Sequence, residues 1–336
     1  MSDHSIPLYS HPTTVIVIDD NDLFLQSLDL RMPATMACLR FHNPRQAVAR
    51  IHEEVELLPI PDRCFSPPVK SLHWRDSIAQ LDLSLIEQEI NNLQRFRRTS
   101  VVVADFMMPA VDGLSLLMNI KKPWVKTVLM SGANDQTVAL KAFNDGSIDR
   151  YVAKGRSTTL DLVVQYSQEL QREYFLDQQR SIQESLSLNP PKLLDDVTVS
   201  RYFAGLTEQH GFVEHYLVGD PPGFVLVTTR GAMQRLVILN DSEVSEQVEY
   251  AITRGAPNDV IKALSTRSRI GYFCEGDETY GDDEPFPWAD FLLTPTRLEG
   301  NETWWAALIS NPPTDIDFRS VDSSYAAYLE ELDAKL

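Results

Sequence analysis

The sequence is poor in the features that mark several large classes of protein. Its 336 residues include three cysteines, at positions 38, 64 and 274, which lie far apart and form no CxxC pair. We therefore expect neither a disulfide framework nor a structural zinc site, as in proteins of a reducing compartment. No stretch reaches the roughly 18 apolar residues that a membrane helix needs, and residues 1–12 lack the apolar core of a signal peptide. These absences predict a soluble, cytoplasmic protein that does not enter a membrane.

Positive charge is also scarce. The chain has 30 Lys and Arg against 48 Asp and Glu, for a formal net charge of -18. A surface of this sign repels a phosphate backbone, which disfavours direct DNA binding. Hydrophobic residues make up 43% of the chain, an ordinary value for a folded globular protein. The length allows two or three domains.

The first half of the chain alternates short apolar runs with helical patterns. The runs cover residues 14–18, 37–41, 101–104, 126–130 and 149–153. Continuous apolar runs suit strands that are buried on both faces of a parallel sheet. Five such strands alternating with helices predict an α/β fold with a doubly wound parallel sheet. Sheets of this kind place their ligands at the carboxyl ends of the strands.

Polar groups collect at these predicted carboxyl ends: Asp19, Asp20, Asp105, Ser131 and Lys154. A carboxylate attacks phosphorus poorly unless the charge of the incoming group is neutralised. Three clustered acids repel one another, and Mg2+, which prefers oxygen ligands, relieves that repulsion. Lysine supplies a point charge for a phosphoryl oxygen, and the serine hydroxyl can donate to another. The pattern predicts that Asp105 accepts a phosphoryl group.

These groups lie within four short motifs, namely Asp19-Asp20, Asp105-Phe-Met-Met-Pro109-x-x-Asp-Gly113, Ser131-Gly132 and Tyr151-x-x-Lys154. Together the motifs resemble the receiver domain of two-component response regulators, over about residues 13–175. The resemblance implies a flavodoxin-like sheet with strand order 2-1-3-4-5.

The resemblance also implies a role for each residue and a partner. Asp105 is the expected phosphoacceptor, and a sensor histidine kinase or a phosphotransfer protein is the expected donor. Asp19, Asp20, Asp105 and the backbone carbonyl of Met107 are the expected ligands of Mg2+. Ser131 and Tyr151 are the expected switch residues, and Lys154 is expected to contact the phosphate.

The chain departs from the receiver pattern in two places. Gly155 follows the lysine, where receivers usually have proline, so the next loop is expected to differ. An insertion at about 52–99 separates the second helix from the Asp105 strand, and we interpret it as a helix extension, a proline-rich loop and a returning helix. Two interpretations stay open for it, a functional loop or a surface insertion that the fold tolerates.

The predicted domains are a receiver at 13–156, its last helix extended into a connector at 157–190, and an α+β output domain at 197–336. Residues 157–188 contain neither Gly nor Pro, and Asn189-Pro190-Pro191 ends the helix. The connector has one or two heptads, too few to predict a coiled coil, so homodimerisation stays open.

The second half contains no motif that decides its role. Strand pairs are predicted at 224–229 with 235–239 and at 291–297 with 303–310, and helices at 208–217 and 323–336. His210 and His215 have the wrong spacing for a shared metal and are expected on the surface. No motif predicts an enzyme.

The layout loosely resembles quorum-sensing response regulators whose output domain lacks a DNA-binding motif. The favoured hypothesis is a switch in which phosphorylation alters contacts with the output domain, a second subunit or a partner protein. The alternative hypothesis is that the C-terminal domain senses a small molecule or a nucleotide and is coupled to the receiver.

Overall fold

The computed structural model describes residues 5–53, 86, 89–109, 111–120, 124–132, 135–186, 191–219, 221–273, 286–310 and 324–334. Contacts divide the chain into two units, and neither is one continuous segment. Of the described residues, the parallel-sheet unit holds those within 11–53, 92–186 and 325–334. The antiparallel-sheet unit holds those within 5–10, 86–91 and 191–310, together with Ser324.

The strands and helices are numbered along the described chain. The strands are β1 (Tyr9–Ser10), β2 (Thr14–Ile18), β3 (Cys38–Phe41), β4 (Thr99–Asp105), β5 (Lys126–Ser131), β6 (Arg150–Ala153), β7 (Phe212–Val218), β8 (Gly223–Thr228), β9 (Met233–Asn240), β10 (Ile270–Gly271), β11 (Leu292–Leu293), β12 (Thr296–Glu299) and β13 (Thr303–Ile309). The helices are α1 (Asp22–Asp29), α2 (Pro44–Glu53), α3 (Gly113–Met118), α4 (Gln136–Asn144), α5 (Thr159–Leu186), α6 (Val197–His210), α7 (Asp241–Thr253), α8 (Asn258–Ser265) and α9 (Tyr325–Asp333).

The parallel-sheet unit has the predicted flavodoxin-like topology. Its five strands lie in the order β3-β2-β4-β5-β6 and all pair in parallel. Alternate residues of β2 enter two separate cores, Val15 and Val17 on one face and Ile16 and Ile18 on the other. The prediction from continuous apolar runs is therefore confirmed, because both faces of the sheet are covered.

The antiparallel-sheet unit contains a six-stranded sheet with the order β1-β7-β8-β9-β13-β12. The first predicted strand pair is present as β8 with β9. The second is present as β12 with β13, but β12 covers only 296–299, and residues 292–293 pair with β10 instead. The helix predicted at 208–217 is wrong: α6 ends at His210 and β7 begins at Phe212. Gly211 separates them in the left-handed conformation (φ +67°) that commonly ends a helix.

The partition differs from the predicted domain boundaries in three segments. β1 pairs with β7, which places residues 5–10 in the antiparallel-sheet unit. Of the described residues of the predicted insertion, Ile86 and Glu89–Asn91 also belong to that unit, whereas residues 52–53 and 92–99 belong to the parallel-sheet unit. Helix α9, from the end of the predicted output domain, belongs to the parallel-sheet unit. Residues 54–85, 87 and 88 of the insertion lie outside the described residues.

Helix α5 corresponds to the predicted connector and stays packed on its own unit. Lys126 Nζ pairs with Asp177, and Arg150 pairs with Glu173. Gln178 and Gln179 are buried, although the sequence becomes polar at this point. Homodimerisation through this helix stays a prediction. Among the described helices none is long and apolar enough to cross a membrane.

Candidate functional site

Asp105 is the last residue of β4, at the carboxyl edge of the parallel sheet, and its exposed fraction is 7%. The chain turns back at once: Phe106 N donates to Met130 O at 2.7 Å, and Gly113 N donates to Phe106 O at 2.9 Å. A Cβ atom at position 113 would lie 1.9 Å from the Asp105 carbonyl oxygen. Only glycine allows this close approach, which explains the Asp-Gly pair in the motif.

Asp19 and Asp20 follow β2 and lie beside Asp105. Carboxylate oxygens of the three residues lie within 4.8 Å of one another. Asp19 is completely buried, and its Oδ1 accepts a hydrogen bond from Asn21 N at 3.0 Å, whereas Asp20 is exposed. One acid of the predicted pair is therefore held rigidly while the other faces solvent.

Lys154 supplies the counter-charge. Its Nζ lies 2.6 Å from Asp19 Oδ2 and 2.8 Å from Asp105 Oδ2. The ammonium also lies 4.9 Å from the centre of the Phe24 ring, which favours a cation. Lys154 N donates to Ser131 O at 2.8 Å, so the backbone that carries the lysine is anchored to β5.

Gly155 accounts for one departure from the receiver pattern. Its φ is +85°. Proline is restricted to φ near −65° and cannot adopt this conformation. The backbone after Lys154 therefore favours glycine and excludes proline, so this loop differs from one that follows a Lys-Pro pair.

The donor set fits a hard divalent cation. Burial raises the pKa of the Asp19 carboxyl, and the hydrogen bonds from Lys154 and the Asn21 amide oppose that rise. Within the described part of the site, three carboxylates face the single ammonium of Lys154. Oxygen ligands with excess negative charge, one of them open to water, are the ligands that Mg2+ favours.

The predicted switch residues also meet. Ser131 is completely buried at the end of β5, and the single proton of its hydroxyl is shared between Tyr151 Oη and Gly132 O, both at 3.3 Å. Tyr151 is half-buried and packs against one of the two cores of the sheet. Both hydrogen bonds are long, so the hydroxyl is weakly held.

The fold brings Asp19, Asp20, Asp105 and Lys154 together, and it brings Ser131 and Tyr151 together on the two neighbouring strands. Met107 lies two residues beyond Asp105, in the same loop, with an exposed side chain. Phe24 and Asn21 also support the site, and neither was predicted to do so. Asn21 was recognisable, since Asn before an apolar helical pattern is a common N-cap and here accepts from Leu23 N and Phe24 N.

His215 is not the surface residue that the sequence predicted. It lies in β7, and burial lowers its pKa to about 4. Its Nε2 lies 3.0 Å from Pro7 O, and its ring packs against Phe203 and Phe224. The error has a simple cause: the segment was assigned to an amphipathic helix, whereas in β7 the His215 ring lies half-buried against Phe203 and Phe224.

No family model and no curated protein matches the sequence. Among solved structures, the response regulator LqsR of Legionella pneumophila is 27% identical, with a TM-score of 0.80 over 99% of this chain and 98% of that protein. The receiver domain of an HD-domain protein from Pseudomonas fluorescens is 16% identical (TM-score 0.34), covering 51% of this chain and 95% of that domain. A receiver-domain protein from Clostridium thermocellum is 17% identical (TM-score 0.29), covering 47% and 98%.

The similarity to LqsR extends over both units and is not confined to the parallel sheet. The five-stranded order of the parallel sheet agrees with this similarity. The similarity also bears out the resemblance read from the motifs. The chain therefore has the fold of that response regulator, with a receiver-like parallel sheet formed by β2 to β6.

Proposed function

We propose that the chain is a two-component response regulator in which Asp105 accepts a phosphoryl group, with Mg2+ bound by Asp19, Asp20, Asp105 and the Met107 carbonyl. One observation carries the proposal. The Asp105 carboxylate lies at the edge of the sheet, 2.8 Å from the ammonium of Lys154 and within 4.8 Å of two further carboxylates. The donor is a sensor histidine kinase, a phosphotransfer protein or a small acyl phosphate.

The transfer needs one nucleophile and a means of offsetting charge. An Asp105 carboxylate oxygen forms a bond to phosphorus while the bond from phosphorus to the imidazole nitrogen or acyl oxygen of the donor breaks, and the leaving group takes the electron pair. Lys154 then exchanges its contact with Asp105 for one with a phosphoryl oxygen. Bound Mg2+ supplies the remaining charge neutralisation.

The switch follows from Ser131. Its hydroxyl is held by two 3.3 Å hydrogen bonds, and a phosphoryl oxygen is a stronger acceptor than either partner. Rotation of the hydroxyl toward the phosphoryl group removes the polar partner of Tyr151 Oη. Tyr151 then changes rotamer, and the altered surface changes the contacts of the receiver with the output domain, a second subunit or a partner protein. No reaction beyond phosphoryl transfer and hydrolysis at Asp105 is part of the proposal.

The test uses the full chain with acetyl phosphate and Mg2+. We expect one covalent phosphoryl group, located on Asp105 by peptide mass spectrometry and labile to base. Asp105→Asn abolishes the label, and chelation of Mg2+ prevents it. The matched control is Asp145→Asn, an exposed acid that follows α4, and it labels like the wild type. Absence of label in the wild type, or equal label in Asp105→Asn, contradicts the proposal.

A further inference from the structure

Near each of its ends the chain crosses from one unit to the other, and a hydrogen bond joins residues that lie close to these two crossings. The first lies between Ser10 and His11, and the last lies between Ser324 and Tyr325. Thr14, the first residue of β2, is the fourth residue after the first crossing. Tyr328, on α9, is the fourth residue after the last crossing. The two are hydrogen-bonded, with 2.7 Å between Thr14 Oγ1 and Tyr328 Oη.

The direction of this hydrogen bond follows from proton counting. The Thr14 hydroxyl donates its single proton to Phe96 O at 2.8 Å. It therefore accepts from Tyr328, and the chain of donors runs from Tyr328 through Thr14 to Phe96. Thr14 is completely buried and Tyr328 nearly so. Loss of either hydrogen bond would leave buried polar atoms without a partner, and this cost favours one position of Tyr328 relative to Thr14.

Helix α9 also contacts the beginnings of the neighbouring strands. Tyr325 Oη accepts from Ala37 N at 2.8 Å and donates to Thr35 O at 2.9 Å, just before β3. Glu331 pairs with Arg97, just before β4. The helix thus ties the amino ends of β3, β2 and β4, which are adjacent in the sheet. The acid cluster lies at the carboxyl ends of β2 and β4.

The other attachment at the amino end of β2 is β1. Only residues 11–13 separate the two strands. In the antiparallel sheet β1 forms two residue pairs with the edge of β7, Tyr9 with Tyr216 and Ser10 with His215. Leu217 N donates to Leu8 O, and Leu8 is almost fully buried. β1 has few ladder hydrogen bonds and is held mainly by buried side chains such as Leu8, so amide exchange in this segment reports on how well it stays docked on β7.

We propose that β2 transmits a change at the acid cluster to the antiparallel-sheet unit, with the Thr14–Tyr328 hydrogen bond as the positioning contact that makes β1 respond. The proposal rests on the proposed function at Asp105. β2 is completely buried and paired on both sides, so it moves as one body. Asp19 directly follows the last residue of β2. The first residue of β2, Thr14, lies shortly after the first crossing and is hydrogen-bonded to Tyr328, which lies shortly after the last crossing.

The test is hydrogen exchange of the full chain with and without beryllofluoride and Mg2+, used as a phosphoryl mimic. In the wild type we expect exchange of the amides in residues 5–10 and 212–218 to change by at least about threefold, since coupling and binding are reciprocal. In Tyr328→Phe and Thr14→Val that change falls to less than half. Labelling of Asp105 by acetyl phosphate stays within about twofold of wild type in both, because neither residue touches the acid cluster.

The matched control is Tyr202→Phe, on α6, whose hydroxyl makes no hydrogen bond to another described residue. It keeps the full exchange response. A purely structural role for Tyr328 alters exchange equally with and without the mimic, and that result overturns the proposal. An unchanged response in both variants, or a wild type that labels at Asp105 yet shows no response in β1 and β7, overturns it as well. Failure of the wild type to label contradicts the proposed function itself.

Discussion

The two edges of the parallel sheet are built from different chemistry. At the carboxyl edge, three carboxylates and an ammonium crowd together, and burial raises the pKa of Asp19. At the amino edge, helix α9 contributes neutral hydroxyl groups and aromatic rings, beside the buried guanidinium of Arg95, which lies 4.1 Å from the centre of the Phe96 ring. Tyr325 and Tyr328 pack against Phe96 while their hydroxyls are hydrogen-bonded.

The difference indicates a division of labour along the same strands. Crowded like charges are unfavourable on their own and become favourable when a ligand neutralises them, so the carboxyl edge is suited to a reversible event. Buried hydrogen bonds between neutral groups depend little on salt, metal or pH, so the contacts of α9 at the amino edge persist when those conditions change. Substitutions at the carboxyl edge should therefore alter both chemistry and stability, and those at the amino edge mainly stability and coupling.

The largest effect is expected for Lys154→Met. Without its ammonium, the buried Asp19 carboxylate loses its counter-charge, and in the presence of EDTA the free energy of unfolding falls by roughly 3–5 kcal/mol. Labelling of Asp105 by acetyl phosphate slows by about 100-fold, because one charge contact to the transferring group is lost. Urea unfolding and the kinetics of Asp105 labelling measure the two effects.

The control for Lys154→Met is Lys192→Met, which removes an exposed partner of Glu302 and changes neither the stability nor the labelling rate by much. Wild-type stability and labelling in Lys154→Met would show that the ammonium is not what balances the cluster.

Gly113→Ala tests the turn that aims Asp105. The new methyl group collides with the Asp105 carbonyl oxygen, and moving that backbone costs about 3 kcal/mol in unfolding free energy. Gly205→Ala is the matched control: no atom beyond the adjoining helix backbone lies within 4 Å of the place its methyl group would take, and α6 gains roughly 0.5–1 kcal/mol from the better helix former. Thermal unfolding of the two variants should therefore shift in opposite directions. A shift in the same direction would contradict the close approach.

The carboxyl edge was largely predictable from the sequence, and the reason is physical. Its groups, such as Asp19, Asp105 and Lys154, each follow a separate apolar run, and a parallel sheet brings such ends together whatever the loops do. The strand order came from the family resemblance, and the structure confirms it. Gly155 stands out as a departure in the sequence, but its positive φ becomes visible only in the folded backbone.

The amino edge was not predictable from local pattern. Helix α9 has the periodicity of an ordinary terminal helix, and nothing local shows that Tyr325 and Tyr328 pack on strands some 300 residues away, as their bonds to Ala37 and Thr14 require. β1 has two ladder residues, too few for an alternation to be recognised. Long-range pairing of short segments is decided by tertiary packing and not by propensity.

Tyr325→Phe tests the durability of the amino edge. The substitution leaves the buried Ala37 N–H and the Thr35 carbonyl without their partner, which lowers the unfolding free energy by about 1–3 kcal/mol. Burial raises the pKa of the Tyr325 hydroxyl, so the loss should be constant across neutral and mildly alkaline pH. Denaturant unfolding at several pH values measures it, with Tyr202→Phe as the control. A loss that disappears in high salt would mean that charge, and not the hydroxyl, holds this edge.

The smallest effect is expected for Glu331→Gln, at the rim of the same edge. The Glu331–Arg97 pair is about two-fifths exposed on each side, with Arg97 donating to Glu331 Oε2 at 2.7 Å. Solvent screens such a pair, so its loss costs less than about 1 kcal/mol and shrinks further in salt. Glu330→Gln, one residue earlier and exposed, is the matched control. A cost equal to that of Tyr325→Phe would place an ionic contact at the centre of this joint, and the contrast between a charged edge and a neutral edge would fail. A small, salt-sensitive cost instead leaves the two tyrosine hydroxyls as the contacts that hold α9, since both combine burial with hydrogen-bonded partners on β2 or just before β3.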